Sequence, residues 1–120
     1  MFTLNLDGHF AREADLKSTS VTMVRIYITE SAKLLTTIMN YLHKEAKVRG
    51  VSVFRAISGF GDSGEHNAAL MDLSLNLPLT VEFFDSPEKI KVALDHLGTL
   101  VRPEHIVFWD VQALDSVDSE

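Results

Sequence analysis

The residues Met71-Asp72-Leu73-Ser74-Leu75-Asn76-Leu77 alternate strictly between apolar and polar side chains. A period of two is typical of a β-strand with one buried face. A helix over the same residues would carry Ser74 within its apolar stripe, which makes the helix the poorer interpretation. The stretch therefore predicts a strand. Pro78 ends it, and residues 79–84 predict a further strand that forms a hairpin with it.

Upstream of this stretch, the sequence predicts a strand, a helix and a second strand. Residues 21–28 alternate in the same way and form the first strand. Thr29-Glu30-Ser31 supplies a hydroxyl cap to the helix, and Gly50 is its predicted end. Residues 51–58 predict the second strand. The apolar stripe of the helix recurs at three- and four-residue steps and consists of Leu34, Leu35, Ile38, Leu42 and Ala46.

Downstream, the sequence predicts a second helix and a last strand. Asp85-Ser86-Pro87-Glu88 combines a cap hydroxyl, a proline at the first helical position and an acid in the first turn. Gly98 is the predicted end of this helix. Residues 105–114 predict the last strand. The buried stripe of the helix is formed by Ile90, Leu94 and Leu97.

The resulting order is β-α-β-β-α-β, an α+β fold of the ferredoxin-like split βαβ kind, with two helices on one face of an antiparallel sheet. Val24, Ile26 and Ile28 are predicted to face the helices. The opposite face would then be a large, partly aromatic patch of a kind that monomers seldom expose, so we expect a homo-oligomer that covers it. The residues predicted on that face are Met23, Arg25, Tyr27 and Phe84.

The chain has 120 residues, which suits one domain. We expect an N-terminal extension at 1–20, flexible or forming a short edge strand, a domain at 21–114 and an acidic tail at 115–120. The net charge of −6 argues against nucleic-acid binding, which needs a basic surface. The chain has no cysteine, no apolar run of membrane-spanning length and no signal peptide, so a cytoplasmic protein without membrane insertion is expected.

The segment Gly59-Phe60-Gly61-Asp62-Ser63-Gly64 matches the G-x-G-x-x-G pattern of dinucleotide-binding loops. That mechanism needs a helix directly after the glycines, whereas the alternation downstream predicts a strand. A glycine loop that either binds an anion through backbone amides or simply turns between strands is the better interpretation. We favour anion binding, because three glycines exceed what a turn requires.

Several charged residues are candidates for ligand binding. Arg55 shares a strand face with Val53 and Ile57, where a guanidinium needs either a carboxylate partner or an anion, and Glu82 is a possible partner. Arg25 is expected to form an ion pair between subunits rather than to bind a ligand. Three further candidates lie at helix starts or in a loop and are more often surface charges: Glu30, Lys89 and Arg102.

The sequence offers no catalytic or metal-binding constellation. The five histidines are scattered without the spacing of metal ligands. No serine lies in a nucleophile elbow, and no histidine, carboxylate and nucleophile form a recognisable set. The chain is therefore predicted to be neither an enzyme nor a metalloprotein.

Four separated motifs, in order, resemble the PII-like family catalogued as domain of unknown function 190. They are Arg25-Ile26-Tyr27-Ile28-Thr29-Glu30, Val53-Phe54-Arg55-Ala56-Ile57-Ser58-Gly59-Phe60-Gly61, Leu77-Pro78-Leu79-Thr80-Val81-Glu82 and Asp85-Ser86-Pro87-Glu88-Lys89-Ile90. The resemblance covers about residues 21–114. It implies a ferredoxin-like subunit that forms a homotrimer and binds adenine nucleotides or similar anions in the clefts between subunits, with no other cofactor.

The resemblance also implies a regulatory role, in which the loop at 59–67 contacts a transporter or an enzyme. The ligand residues expected on this basis are Arg55, Gly59, Phe60, Gly61, Lys89, Arg102 and Glu30. Two alternatives stay open: an interaction module without a ligand, and a small ferredoxin-like enzyme such as an acylphosphatase. The acylphosphatase is disfavoured because Glu30 stands where an anion loop would need an arginine.

Overall fold

The computed structural model describes residues 17–29, 32–57 and 78–115 with their side chains, and the backbone alone of 2–4, 10–12, 58–61 and 64–67. Within these ranges the strands are β1 (Phe2–Leu4), β2 (Phe10–Arg12), β3 (Ser18–Ile28), β4 (Val51–Arg55), β5 (Ser58–Gly61), β6 (Gly64–Asn67), β7 (Leu79–Asp85) and β8 (Ile106–Leu114). The helices are α1 (Ala32–Asn40), which continues as a π-helix (Tyr41–Glu45), α2 (Pro87–Leu100) and a 3₁₀ turn (Pro103–His105).

Four of these strands form one antiparallel sheet in the order β4-β7-β3-β8. With helices α1 and α2 between the strands, this is the ferredoxin-like arrangement, and the predicted fold class is confirmed. The strand beside β3 is Leu79–Asp85, which pairs from Thr22↔Asp85 to Ile28↔Leu79. The predicted strand at 71–77 lies outside the described residues, and so does the predicted cap Glu30-Ser31 of the first helix.

The core lies between the sheet and the two helices. Val24, Ile26 and Ile28 have at most 1% of their surface exposed, as their alternation predicted. Ile38 and Leu42 from the first helix and its π-helical continuation are fully buried against them. The remaining fully buried contacts come from Val81 and Phe83 of β7 and from Ile90, Ala93 and Leu97 of α2.

The second sheet strand is shorter than the predicted 51–58. Strand β4 pairs with β7 up to Arg55↔Leu79, and Ala56 N–H then donates to the carbonyl of Pro78 at 2.9 Å. Pro78 has no N–H to donate, so the ladder cannot continue beyond it. The chain therefore leaves the sheet after Arg55 and begins a new strand, β5, at Ser58.

The first helix does not end at Gly50, as the sequence predicted. The π-helix ends at Glu45, and Lys47 adopts φ 54°, in the left-handed region. Val48 N–H then donates to the carbonyl of Leu42 at 3.1 Å. Lys47 thus occupies the left-handed position that glycine commonly takes after a helix. Tertiary packing overrides the local preference here, because Val48 lies against the core.

The left-handed backbone of Lys47 allows us to predict how a glycine at this position changes the stability of the protein. A non-glycine residue in this conformation is strained by about 1–2 kcal/mol, whereas glycine is unstrained but loses more entropy on folding, about 0.5–1 kcal/mol. We expect Lys47→Gly to raise the free energy of unfolding by roughly 0.5 kcal/mol in urea denaturation. The control Lys44→Gly, inside the π-helix, should lower it by about 1 kcal/mol. Equal losses in both variants would contradict the prediction.

The second helix begins as predicted. The Ser86 side chain accepts a hydrogen bond from Lys89 N–H at 3.3 Å, and Pro87 occupies the first turn. The helix does not end at Gly98, however, but continues to Leu100. A helical glycine costs about 1 kcal/mol, and the packing of Leu97, Leu100 and Val101 on the core outweighs that cost.

The first sheet strand begins within the segment expected to be an extension. Strand β3 starts at Ser18 and pairs with β8 from Ser18↔Leu114 to Ile26↔Ile106. Asp115 N–H also donates to the carbonyl of Lys17 at 3.0 Å. Before β3, strands β1 and β2 form a separate antiparallel pair. None of the helices in the described part of the chain is long and apolar enough to cross a membrane.

Candidate functional site

The candidate ligand residues are divided between the two ends of the sheet. One end, which we call the Leu79 end, is where Arg55 pairs with Leu79 and where Ile28 finishes β3. Arg102 approaches the same end, since the 3₁₀ turn after it leads directly into β8. Glu30 follows Ile28 in the sequence but lies outside the described residues. Arg55 and Arg102 are thus the two described candidates with side chains at the Leu79 end.

Gly59, Phe60 and Gly61 do not form the open loop predicted for them. They belong to β5, which pairs with β6 from Ser58↔Asn67 to Gly61↔Gly64. Only Asp62 and Ser63 lie between the two strands in the sequence, which is the loop length of a two-residue β-hairpin. The glycines on either side of them, Gly61 and Gly64, were the sequence signal for this hairpin. This hairpin, β5–β6, follows Arg55 at the Leu79 end of the sheet.

Lys89 lies at the opposite end and is engaged in the structure of the fold. Its ammonium nitrogen is 3.7 Å from Asp85 Oδ2 and donates to the carbonyl of Lys47 at 3.1 Å. Because Asp85 ends β7 and pairs with Thr22, Lys89 is not brought together with Arg55 or Arg102. Its i,i+4 spacing from Asp85 was the signal for this ion pair.

Asp85 is the centre of this opposite end, and only 5% of its surface is exposed. Its carboxylate accepts backbone hydrogen bonds from Ser86 at 2.8 Å and Arg49 at 2.9 Å. Burial by itself raises the pKa of Asp85, but the two N–H donors and the charges of Lys89 and Arg49 outweigh it and lower the pKa below its ordinary value. Asp85 is therefore ionised and joins the segment just before β4 to the start of α2.

Arg102 has a carboxylate partner close in the sequence. Its Nη2 donates to Glu104 Oε2 at 2.6 Å, and both side chains are more than half exposed. The pKa of Glu104 is lowered, mainly by a hydrogen bond from its own backbone N–H and next by the hydrogen bond from Arg102. The pair is exposed to solvent, where ion pairs contribute little to stability. Arg102 and Glu104 thus form an exposed pair at the rim of the Leu79 end.

Glu82, which the sequence offered as a possible partner of Arg55, pairs with Arg25. The two residues are direct partners across β3 and β7, and Arg25 Nε donates to Glu82 Oε2 at 2.6 Å. This hydrogen bond raises the pKa of Arg25. The guanidinium also lies 5.4 Å from the centre of the Trp109 ring. Within one chain, Arg25 therefore already has a carboxylate partner, and the expected ion pair between subunits stays a prediction.

The sheet face opposite the helices, which we call the open face, carries large exposed apolar side chains around this pair. The exposed fractions are 41% for Tyr27, 53% for Phe54 and 40% for Trp109. Arg25, Tyr27, Phe54, Thr80 and Glu82 line a shallow depression of about 280 Å³. As predicted, the two faces of the sheet differ: the helix side carries the buried apolar core, and the open face carries exposed aromatic side chains around a charged pair.

The comparisons with known proteins agree with this architecture. The family model DUF190, described as "Uncharacterized ACR, COG1993", matches residues 21–113. The chain belongs to the DUF190 family. A UPF0166 protein of Aquifex aeolicus is 43% identical over 61 residues, which are 48% of this chain and 58% of that protein. A UPF0166 protein of Methanocaldococcus jannaschii is 28% identical over 90 residues, 71% of this chain and 82% of that protein.

Solved structures share the fold of this DUF190 protein at low sequence identity. CPII, a nitrogen regulatory PII-like protein from Thiomonas intermedia K12 bound to ADP, AMP and bicarbonate, superposes with a TM-score of 0.67 at 16% identity, over 83% of this chain and 93% of CPII. The divalent ion tolerance protein CutA1 from Ehrlichia chaffeensis gives a TM-score of 0.53 at 9% identity, over 82% of this chain and 85% of CutA1. The ferredoxin-like architecture of the DUF190 chain is thus also that of PII-like proteins.

Proposed function

We propose that this DUF190 protein is a non-enzymatic, cytoplasmic, PII-like sensor that binds an adenine nucleotide in the clefts between the subunits of a homotrimer. The observation that carries the proposal is the β5–β6 hairpin, which follows Arg55 between the sheet strands β4 and β7. It joins a glycine-rich backbone to an exposed guanidinium at one end of the sheet. Glycines let an anion approach the backbone closely, and a neighbouring cation favours phosphate.

The nucleotide would lie at the Leu79 end. Arg55, Arg102 and the backbone of Gly59 and Gly61 are the groups proposed to contact it, and Glu30 remains a candidate through its place after Ile28. Lys89 is left out, because its ammonium is engaged by Asp85. CPII, which shares the fold, was solved with ADP, AMP and bicarbonate, and this supports the choice of adenine nucleotides as ligands to test.

Assembly would take place through the open face. A face with exposed Tyr27, Phe54 and Trp109 offers aromatic area of the kind that is enriched in protein interfaces. Covering it with further copies of the chain would also create the clefts in which residues of two subunits meet. A nucleotide that orders the β5–β6 hairpin would change the surface offered to a regulated transporter or enzyme.

Nucleotide binding is tested by thermal shift. At a concentration of about 100 Kd, a ligand stabilises its protein by about 2.7 kcal/mol, which raises the Tm of a domain of this size by roughly 10 °C. ADP, AMP and ATP are added separately, each with and without bicarbonate. We expect a rise with at least one of them and little or no rise in Arg55→Ala, since the variant lacks a phosphate contact.

The matched control is Lys44→Ala, which removes an exposed positive charge from the π-helix, at the other end of the sheet from Arg55. This variant should respond to nucleotide like the unaltered protein. No rise in Tm with any nucleotide would contradict the proposal. A rise in Tm that persists in Arg55→Ala would support nucleotide binding but would show that the nucleotide does not bind through Arg55 at the Leu79 end. If no nucleotide raises the Tm, an interaction module without a ligand is the better account of this protein.

A further inference from the structure

A cavity of about 420 Å³ lies on the open face, at the end of the sheet opposite the Leu79 end. Its lining includes Met23, Arg49, Ser52, Glu82 and Phe84. Met23 pairs with Phe84 and Ser52 with Glu82, so these four side chains share one face of the sheet. The volume falls within the range of small-molecule sites, about 300–1,000 Å³. We call this cavity the Arg49 pocket.

Arg49 gives the pocket a fixed positive end. Its guanidinium carbon lies 5.0 Å from the centre of the Phe84 ring, a contact that holds the group against the ring. Arg49 Nη2 is 3.6 Å from Asp85 Oδ1, which is longer than a hydrogen bond, so the guanidinium can still donate to another acceptor. Lys89 faces the same carboxylate at 3.7 Å. Because two cations share one buried acid, this end has an excess of positive charge and suits an anionic group.

Glu82 gives the pocket an acceptor at its other end. Its Oε2 accepts the hydrogen bond from Arg25 Nε at 2.6 Å. A carboxylate has acceptor sites on both oxygens, so Oε1 offers a place for a second donor. The side chain of Glu82 is 22% exposed, and partial burial strengthens its attraction for a positive charge. This end therefore suits an ammonium group.

The spacing of the two ends matches one class of ligand. Phe84 and Glu82 are two residues apart on the same side of β7, so their side chains leave the strand about 7 Å apart. A carboxylate on Arg49 and an ammonium on Glu82, each hydrogen-bonded at about 2.8 Å, bridge that gap when both are attached to one carbon atom. The remaining lining by Met23 and the Phe84 ring is apolar. An α-amino acid with an apolar side chain has all three features.

We propose that the Arg49 pocket binds an apolar α-amino acid. Its carboxylate would be bound by Arg49, its ammonium by Glu82, and its side chain would lie against Met23. The Phe84 ring would hold the guanidinium in the orientation that the carboxylate needs.

The Arg49 pocket is separate from the features of the proposed function. The proposed nucleotide site lies at the Leu79 end. On the open face, Tyr27 and Phe54 both pair with Thr80, about 13 Å along β7 from Phe84. Assembly centred on Tyr27 and Phe54 leaves the pocket at the margin of the interface. The proposal therefore depends neither on the nucleotide nor on the trimer.

Calorimetric titration of the full-length protein with leucine tests the proposal. Two relatives of leucine serve as matched probes: isocaproate, which lacks the amino group, and isoamylamine, which lacks the carboxylate. We expect leucine to bind at least about tenfold more tightly than either probe, since each probe lacks one charge-assisted hydrogen bond.

Two variants assign the two ends of the pocket. Arg49→Gln should weaken leucine binding about tenfold and abolish the preference for leucine over isoamylamine, because the carboxylate loses its partner. Glu82→Gln should instead abolish the preference for leucine over isocaproate. A merely structural defect would weaken leucine and both probes alike. The matched control is Lys44→Gln, which removes an exposed charge from the π-helix and should bind leucine like the native protein.

A third variant, Ser52→Phe, fills the pocket and leaves both charges in place. Ser52 is exposed on the edge strand β4, and aromatic residues suit strands, so the variant should fold. We expect it to abolish leucine binding. The proposal is overturned if the native protein does not bind leucine, or binds it no better than the two probes. It is also overturned if Arg49→Gln or Ser52→Phe binds leucine as tightly as Lys44→Gln does.

Discussion

Replacing Asp85 with alanine is expected to lower the free energy of unfolding by about 2–3 kcal/mol at neutral pH, since a buried polar group left without its partner costs about 1–3 kcal/mol. The variant leaves the N–H groups of Ser86 and Arg49 without their acceptor. It also removes the charge that faces Lys89 and Arg49, but both cations are about half exposed, so that part of the effect is small. Urea denaturation followed by circular dichroism measures the change.

The pH dependence of this difference follows from the lowered pKa of Asp85. The carboxylate is more acidic in the folded than in the unfolded state, so its contribution is complete above the unfolded pKa of about 3.9 and is lost as the pH falls through the folded pKa. The gap in unfolding free energy between the native protein and Asp85→Ala should therefore be constant between pH 7 and about pH 5 and shrink on further acidification.

The matched control for Asp85 is Glu88→Ala, which removes an exposed acid from the first turn of α2. Its loss should be about 0.3–1 kcal/mol, the value of a favourable charge near a helix N-terminus. If the two variants lose the same free energy, Asp85 acts only through the helix dipole and not by joining the segment before β4 to α2. A gap that widens below pH 5 would also contradict the assignment.

Replacing Phe54 with glutamate is expected to convert the assembled protein to monomers. The proposed trimer has three times the 13.4 kDa of one chain, and the variant should have the mass of a single chain in light scattering. Phe54 is 53% exposed and lines the depression with Tyr27 and Thr80. Assembly would bury the new carboxylate next to Glu82, and burying an unpaired charge costs several kcal/mol per subunit.

Two further observations make this test specific. Val92→Glu introduces the same charge at an exposed residue on α2 and should leave the mass unchanged. Trp109, the single tryptophan, is 40% exposed in the isolated chain, so its fluorescence should shift to longer wavelength when the open face is uncovered in Phe54→Glu. Assembly through the open face would be contradicted if the native protein is monomeric at high concentration. It would also be contradicted if Phe54→Glu has the same mass as the native protein.

The elements of the fold could be predicted from short stretches of sequence. The period of two placed Val24, Ile26 and Ile28 in the core, and all three are almost fully buried. The cap at Ser86 with Pro87 after it gave the start of α2. The predicted ends of the helices were less reliable. Neither helix ends at its predicted glycine, because Val48 before Gly50 and Leu100 after Gly98 pack on the core.

The contacts of the candidate site residues could be predicted less well, and the differences share a cause. Glu82 was named as one possible partner of Arg55 and lies against Arg25, its direct neighbour in the sheet register. Lys89 was assigned to an anion and lies against Asp85. Gly59 and Gly61 were assigned to a loop and lie in a β-hairpin. In each case the residue was correctly seen as unusual, but its partner could not be read from its own segment.

By itself, the sequence determined the class of fold and which face of each central element is buried. Both depend on the alternation or helical repeat of side chains within one segment, which is a local property of the chain. Only the tertiary structure decided which charges meet, where β4 stops and which candidates share an end of the sheet. Arg25 and Glu82 are 57 residues apart in sequence, and a shift of one residue in strand register would have separated them.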